Sequence, residues 1–390
     1  NVRLSPAEVA TVLAHCEPRV VVASHELDNL LADDDSDLQV PRNEDDLAEI
    51  LYTSGTTSTP KGVAIRHSNS ALFLRNNPDW TGRAWLHASP MFTFAGLTFV
   101  YTPMRMGLRT LYLPRFTVAD WLRLLADEAP TNCFLVPSMV ELLVADPASS
   151  TADWSSVEMI SVGSAPIAPT TLARLQDLVP DAQVTNAYSM TEAGTAYFFM
   201  AKGQQREHPG SVGRVIPPAE VRIVDDDGAE LSAGEIGNVE VKPAGRMREY
   251  YRAPEATREV FHPDGWLRTG DLGWLDAAGY LSISGRAKDV IIRGGLNIHA
   301  ADVEAVLYEH SAVREAAVVG APHPVLGEEV VAFVVLRAGA TASADELIAH
   351  CAGRLANYAV PRRVHRVDDL PRNATGKVMK RDLVEPDFVP

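Results

Sequence analysis

Met159-Ile160-Ser161-Val162-Gly163-Ser164-Ala165-Pro166, the proline-led segment Pro169 to Leu178, and Gln183-Val184-Thr185-Asn186 set out an alternating pattern of elements. A short apolar run, Met159 to Val162, predicts a strand. Pro169 to Leu178 predicts a helix with Pro at its first turn. Gln183 to Asn186 predicts a second strand. The pattern continues upstream, with Asn132 to Val136 as a strand and Ser138 to Val144 as a helix. Thr117 caps a helix through Trp121, Leu122 and Leu125, and Ala48 to Tyr52 is strand-like. Such alternation implies parallel strands joined by crossover helices. At the start, Ser5-Pro6-Ala7-Glu8 reads as a capping box, and Val20-Val21-Val22 as a short buried strand.

After about Pro209 the character changes. Val221 to Val224, Val239 to Lys242 and Leu281 to Ser284 are short strands between Gly- and Asp-rich turns such as Asp227-Gly228, a β-rich subdomain over about 210–285. A second change falls near Gly285. Beyond it a helix (Ala301 to Glu309), strands (Ala316 to Val319, Val330 to Leu336), a helix (Ala344 to Leu355) and a strand near Val364 make a compact α+β unit. The fold class is therefore α/β. A large domain of parallel-sheet layers and its β-rich subdomain (1–285) meet a small α+β domain (289–390) through a junction at 286–288.

The 390 residues carry 35 Lys+Arg and 51 Asp+Glu, a net charge of −16. That balance excludes a chain built to coat nucleic acid or an anionic membrane. The longest apolar run, Val330 to Leu336, is far short of the roughly 20 residues of a membrane span. Cys16, Cys133 and Cys351 are too scattered for a disulfide framework or a zinc cluster, and fit a cytoplasmic, reducing setting. The chain opens without signal-peptide character, and at Asn1 rather than Met, as a processed or truncated start would. Asp33 to Asp37 reads as a solvated acidic loop.

Several loops carry chemistry. In Thr53-Ser54-Gly55-Thr56-Thr57-Ser58-Thr59-Pro60-Lys61 a strand ends in hydroxyls, a glycine and a lysine. Backbone N–H groups there can form an anion nest, with Lys61 adding charge for a polyphosphate. The alternative is a polar surface turn, and the Walker A ending is missing. Tyr188-Ser189-Met190-Thr191-Glu192 follows the strand ending at Asn186, and offers a hydroxyl and one hard carboxylate ligand of the kind Mg²⁺ takes alongside phosphate oxygens. Gly163-Ser164-Ala165-Pro166 lies at a third strand end, where open α/β sheets bind ligands. In Thr269-Gly270-Asp271 a carboxylate held by a tight turn can accept two ribose hydroxyls, or simply close an Asx-turn. Arg286 can fork onto hydroxyls or phosphate. Lys377, in Thr375-Gly376-Lys377, can reach a site in another domain or be a solvated tail lysine.

Taken in this order, with Gly234-Glu235-Ile236-Gly237, Tyr250-Tyr251, Gly294-Gly295-Leu296-Asn297-Ile298 and Val303-Glu304, these segments resemble the adenylate-forming superfamily, in its acyl-CoA ligase branch. The resemblance runs through nearly the whole chain. It implies that ATP and a carboxylic acid give acyl-adenylate and pyrophosphate, after which coenzyme A takes the acyl group. By position, Thr53, Ser54, Gly55, Thr56, Thr57 and Lys61 match the pyrophosphate loop. Gly163, Ser164, Ala165, Asn186, Ala187, Tyr188 and Ser189 match the nucleotide floor, with Asp271 and Arg286 on the ribose. Thr191 matches the α-phosphate contact, Glu192 the Mg²⁺ ligand, and Lys377 the lysine bridging carboxylate and α-phosphate. Lys288 falls at the hinge of a mobile lid domain, Gly294-Gly295 at the coenzyme A channel, and Phe92, Phe94, Gly96, Met190 and Gly194 at the acyl pocket.

Ser58, Ser189 and Thr93 depart from the family pattern, and the family carries a further segment ahead of the one that opens this chain. No cation stands in the presumed pocket segments, so the acid is expected to be apolar. A phosphopantetheinylated carrier protein is the alternative acceptor, and a relative that performs only the thioester step is the alternative activity. A homo-oligomer is left open.

Overall fold

A computed structural model describes residues 4–22, 41–53, 61–72, 82–194, 198–243, 245–373 and 377–383. Ser54, Gly55, Thr56, Thr57 and Ser58 of the hydroxyl loop, the acidic stretch Asp33 to Asp37, and Gly376 lie outside the described residues.

The parallel sheet runs Arg109–Tyr112, Ala84–His87, Asn132–Leu135, Met159–Gly163, Gln183–Ala187 from edge to edge. All its pairs are parallel. The helices that cross between its strands are set by local signals. Thr117 caps Val118–Glu128 by accepting the Asp120 N–H at 3.0 Å. Pro169 opens Pro169–Leu178 at the position where a missing N–H costs nothing. Trp121, Leu125 and Leu175 drop from these helices into a core with Leu86, Leu135, Ile160 and Val162, all nearly or fully buried. Strand Ala84–His87 has a neighbour reached by each direction of winding, so the chain's winding reverses there. Ligand crevices open at the carboxyl end of such a switch point.

Two expectations change. Leu47–Thr53 does not join the parallel sheet. It pairs antiparallel with Lys61–Arg66, which in turn pairs with Glu249–Tyr250. Val20, Val21 and Val22 form no strand and are 71%, 58% and 47% exposed, because among the described residues no strand lies alongside to cover them.

The β-rich part is antiparallel, in the order Glu220–Val224, Gly237–Lys242, Leu267–Leu275, Tyr280–Arg286, Gly213–Val215, Phe198–Phe199. The C-terminal part has Leu296–His299, Val290–Arg293, Gly327–Leu336 and Val313–His323, with Arg363–Arg366 parallel to Gly327–Leu336. Helices Ala300–Tyr308 and Ala344–Ala352 close its core through Val303, Leu307, Leu347 and Cys351. The second helix ends short of Leu355, at a cap on Gly353. Among the described residues, no helix is long and apolar enough to cross a membrane.

Candidate active site

The site is built on a strand irregularity. In Leu267–Leu275, five residues from Arg268 to Leu272 face only three on the neighbouring strand, Asn238 to Glu240. The extra residues bulge, and Asp271 lies within the strand rather than on the tight turn expected from its sequence. The Thr269 hydroxyl accepts the Asp271 N–H at 3.0 Å and fixes the bulge. Across the next ladder Asp271 and Arg286 are register partners. Arg286 Nε lies 2.7 Å from Asp271 Oδ1, and the Tyr188 hydroxyl donates to Oδ2 at 2.5 Å. Asp271 is buried, and burial lifts its pKa against the opposing pull of Arg286, Tyr188 and Lys377. Burial and then the Asp271 charge hold the Tyr188 phenol far above its usual value, so it remains a donor.

Lys377 arrives from the C-terminal end of the chain. Arg372 and Val378 bridge antiparallel, and the Lys377 N–H donates to Asn373 Oδ1 at 2.9 Å, which seats the lysine at the neck of a turn. Lys377 is exposed. Even so, the protein around its ammonium pushes its pKa below that of an ordinary lysine. The charges of Arg286 and Lys288 add to this, while Asp271 and Asp289 oppose it. Three cations thus face two carboxylates at this spot, an anion-seeking surface on a protein of net charge −16.

A second cluster lies where strand Lys61–Arg66 begins. Thr53 and Lys61 are register partners at the end of the antiparallel ladder. Lys61 Nζ stands over the Tyr250 ring, 4.9 Å from its centre. The Tyr250 hydroxyl donates to Glu192 Oε1 at 2.8 Å. Burial, then the Glu192 charge, raises the Tyr250 phenol well above its usual pKa. Glu192 itself sits in the short 3-10 turn Thr191–Ala193, with its carbonyl accepting the Met247 N–H at 2.9 Å. Lys61, Tyr250 and Glu192 therefore form one contiguous unit. Among the described residues no three His, Cys, Asp or Glu side chains cluster as a metal cage. One carboxylate with a free lone-pair direction still fits a Mg²⁺ whose other ligands are phosphate oxygens and water.

The remaining sequence candidates are placed as follows. Gly163 and Ala187 are register partners at the carboxyl ends of adjacent strands, which brings the Ser164-Ala165 turn beside Asn186 and Tyr188. Ser164 is held at φ +71°, in the left-handed region. Ser189 is exposed. Phe94 packs with Val63, Met247 and Tyr250. Gly96 is buried in the first turn of helix Phe94–Arg105, where its N–H donates to the Thr93 cap at 3.0 Å; Phe92 is partly buried beside it. Met190 packs against the β-rich core. Lys288 lies in the 3-10 turn Ala287–Asp289 that leads out of strand Tyr280–Arg286. Gly294 and Gly295, with φ +59° and +83°, make the two-residue turn between Val290–Arg293 and Leu296–His299.

Gly194 is fixed by its surroundings. Its φ 58°, ψ −123° is open essentially to glycine alone, and an added Cβ would meet the Gly245 carbonyl oxygen at 2.1 Å. Gly194→Ala is expected to destabilise the protein by about 3 kcal/mol, read from the urea midpoint; an unchanged midpoint would mean that the Gly245 segment yields freely.

Two residues receive no role from the sequence alone. Tyr250 is visible only as half of an aromatic pair. His87 ends strand Ala84–His87, fully buried among Phe99 and Tyr112, and burial pushes its pKa down to about 4.

The chain belongs to the AMP-binding enzyme family, which matches residues 1–251, with the AMP-binding enzyme C-terminal domain matching residues 302–377. It is 35% identical over 353 residues to a long-chain-fatty-acid–CoA ligase of Bacillus subtilis, covering 88% of this chain and 62% of that protein. It is 34% identical over 386 residues to a feruloyl-CoA synthase of Amycolatopsis, covering 97% of this chain and 77% of that protein. The structure of an O-succinylbenzoate coenzyme A synthetase from Bacillus subtilis with ATP and magnesium superposes with a TM-score of 0.84 at 30% identity, covering 98% of this chain and 82% of that one. The chain thus spans less than two thirds of the first of these relatives.

Proposed function

We propose that the chain is an AMP-forming acyl-CoA ligase acting on an apolar carboxylic acid. In the first half-reaction a carboxylate oxygen attacks the α-phosphorus of ATP, the bond to the bridging oxygen breaks, and pyrophosphate leaves. In the second, the deprotonated sulfur of coenzyme A attacks the acyl carbon and AMP departs. The observation that carries this reading is that Lys377 comes within electrostatic reach of Asp271 and Arg286, residues more than ninety positions before it in sequence.

In this reading Asp271 accepts the ribose hydroxyls while Tyr188 and Arg286 hold its carboxylate in place. The strand ends at Gly163, Ser164, Ala165 and Asn186 to Ser189 form the nucleotide floor. Thr53, Ser54, Gly55, Thr56, Thr57 and Lys61 hold the leaving pyrophosphate. Thr191 donates to the α-phosphate. Lys377 lies between two anions that repel each other, and its charge is worth most in the transition state, where negative charge accumulates. A Mg²⁺ on Glu192 would neutralise phosphate charge. Residues 1–285 form the large domain, 286–288 the hinge at Lys288, and 289–390 the lid, with Gly294-Gly295 at the coenzyme A channel. Phe92, Phe94, Gly96, Met190 and Gly194 lie around the acyl pocket.

Glu192→Gln keeps an acceptor for Tyr250 and removes the charge. The Mg²⁺ concentration for half-maximal pyrophosphate release is expected to rise about tenfold. No change in Mg²⁺ dependence would take Glu192 out of the metal site. The acceptor is tested by supplying fatty, aryl and alicyclic acids with ATP and either coenzyme A or a phosphopantetheinylated carrier protein. Thioester on coenzyme A supports the ligase; thioester on the carrier alone makes it a carrier-loading enzyme.

A further inference from the structure

We infer that Glu141 and Arg337 form a reversible latch that holds the C-terminal domain in the orientation where Lys377 faces the nucleotide site. This rests on the ligase reading for its consequence, though not for its geometry. Glu141 projects from helix Pro137–Ala145 of the large domain and is only 8% exposed. Its Oε1 accepts the Thr171 hydroxyl at 2.6 Å. Its Oε2 is shared: Arg337 Nη1 lies at 3.1 Å and Arg174 Nη1 at 3.4 Å. Thr171 and Arg174 belong to the same domain as Glu141, on helix Pro169–Leu178. Arg337 belongs to the C-terminal domain, just past strand Gly327–Leu336. Its backbone is pinned, with its N–H donating to the Ala312 carbonyl at 2.8 Å and its carbonyl accepting from Ala340 at 3.0 Å. The guanidinium is thus presented from a rigid turn. Tyr308, on helix Ala300–Tyr308 of the same domain, is also close enough to feel the Glu141 charge.

Two features make this a latch rather than a surface decoration or a permanent bolt. Enclosure of the carboxylate keeps the pair from the salt screening that empties most exposed ion pairs. A buried carboxylate whose sole cation lay across a moving boundary would resist separation, because separation would strand a charge. Here Thr171 and Arg174 stay with Glu141 when Arg337 leaves. Parting therefore costs a contact without orphaning the carboxylate, and the lid can come and go. Arg337 is a positioning residue: it touches neither nucleotide nor acid, and acts through where it leaves Lys377.

The test uses the full chain carrying Cys16→Ser, with one dye on Ser150→Cys and another on Asp345→Cys, both exposed positions on opposite sides of the boundary. Energy transfer reads the fraction of molecules in the latched orientation. Arg337→Ala and Glu141→Gln are each expected to lower the latched-to-released ratio about tenfold, the double variant no further than either, and Arg337→Lys to restore part of it. In the unlabelled protein, Arg337→Ala should slow pyrophosphate release about tenfold while thioester formation from supplied acyl-adenylate stays undiminished. An energy-transfer distribution unchanged in both single variants, or effects that simply add in the double variant, overturns the latch whatever the activity. A wild-type protein that releases no pyrophosphate with any acid sinks the ligase reading instead, and leaves the dye measurement to judge the latch.

Discussion

Lys377→Ala is expected to slow acyl-adenylate formation about 10²- to 10³-fold and to leave conversion of a supplied acyl-adenylate to thioester near the wild-type rate. The asymmetry follows from where the lysine is. Its ammonium shares a patch with Arg286 and Lys288 against Asp271 and Asp289. In the proposed first step phosphate and carboxylate charge must be pressed together, and a cation on that patch offsets their repulsion. Attack of a thiol on an already formed mixed anhydride makes no such demand on it. The measurement is pyrophosphate release for the first step and thioester appearance for the second, on the same variant. Equal loss in both would mean that Lys377 holds the fold or serves both steps, and would refute its assigned role.

Asp271→Asn is expected to raise the KM for ATP about 10- to 100-fold, with a smaller fall in kcat and no change in the KM for the acid. The carboxylate accepts from Tyr188 on one oxygen and meets Arg286 on the other. Asparagine can satisfy one of these and must turn an amide N–H toward the second. Arg286 then has no anion, and the ribose loses a charged acceptor. An unchanged KM for ATP would show that Asp271 serves only to hold the bulge.

Local signals in the sequence carried most of the helices and strands, because a cap or a proline acts on its own neighbours. Pro169–Leu178 lies where Pro169 places it, and Thr117 starts Val118–Glu128. Pairing partners were less legible. Leu47–Thr53 looks like any strand of an alternating chain, and only its pairing with Lys61–Arg66 puts it in an antiparallel sheet. Val20 to Val22 have strand chemistry, but among the described residues no strand pairs with them, and they stay exposed. Asp271 was readable as a carboxylate near a turn. Its place on a bulge depends on how many residues the facing strand supplies, which no local window contains. The same holds for Tyr250, whose partner Glu192 is 58 residues away, and for Arg337, 196 residues from Glu141. Motif spacing named the ends of these contacts where a family pattern existed, and missed them where the contact was made by tertiary folding alone.

In the proposed reaction a carboxylate oxygen of the substrate attacks the α-phosphorus of ATP. An acid carrying ¹⁸O in its carboxylate, turned over with ATP and coenzyme A and followed by mass analysis of the nucleotide product, tests this step. The expected product is AMP bearing one ¹⁸O atom, alongside unlabelled pyrophosphate and the acyl thioester. Thioester formed with unlabelled AMP, or with ADP and labelled phosphate, would contradict it.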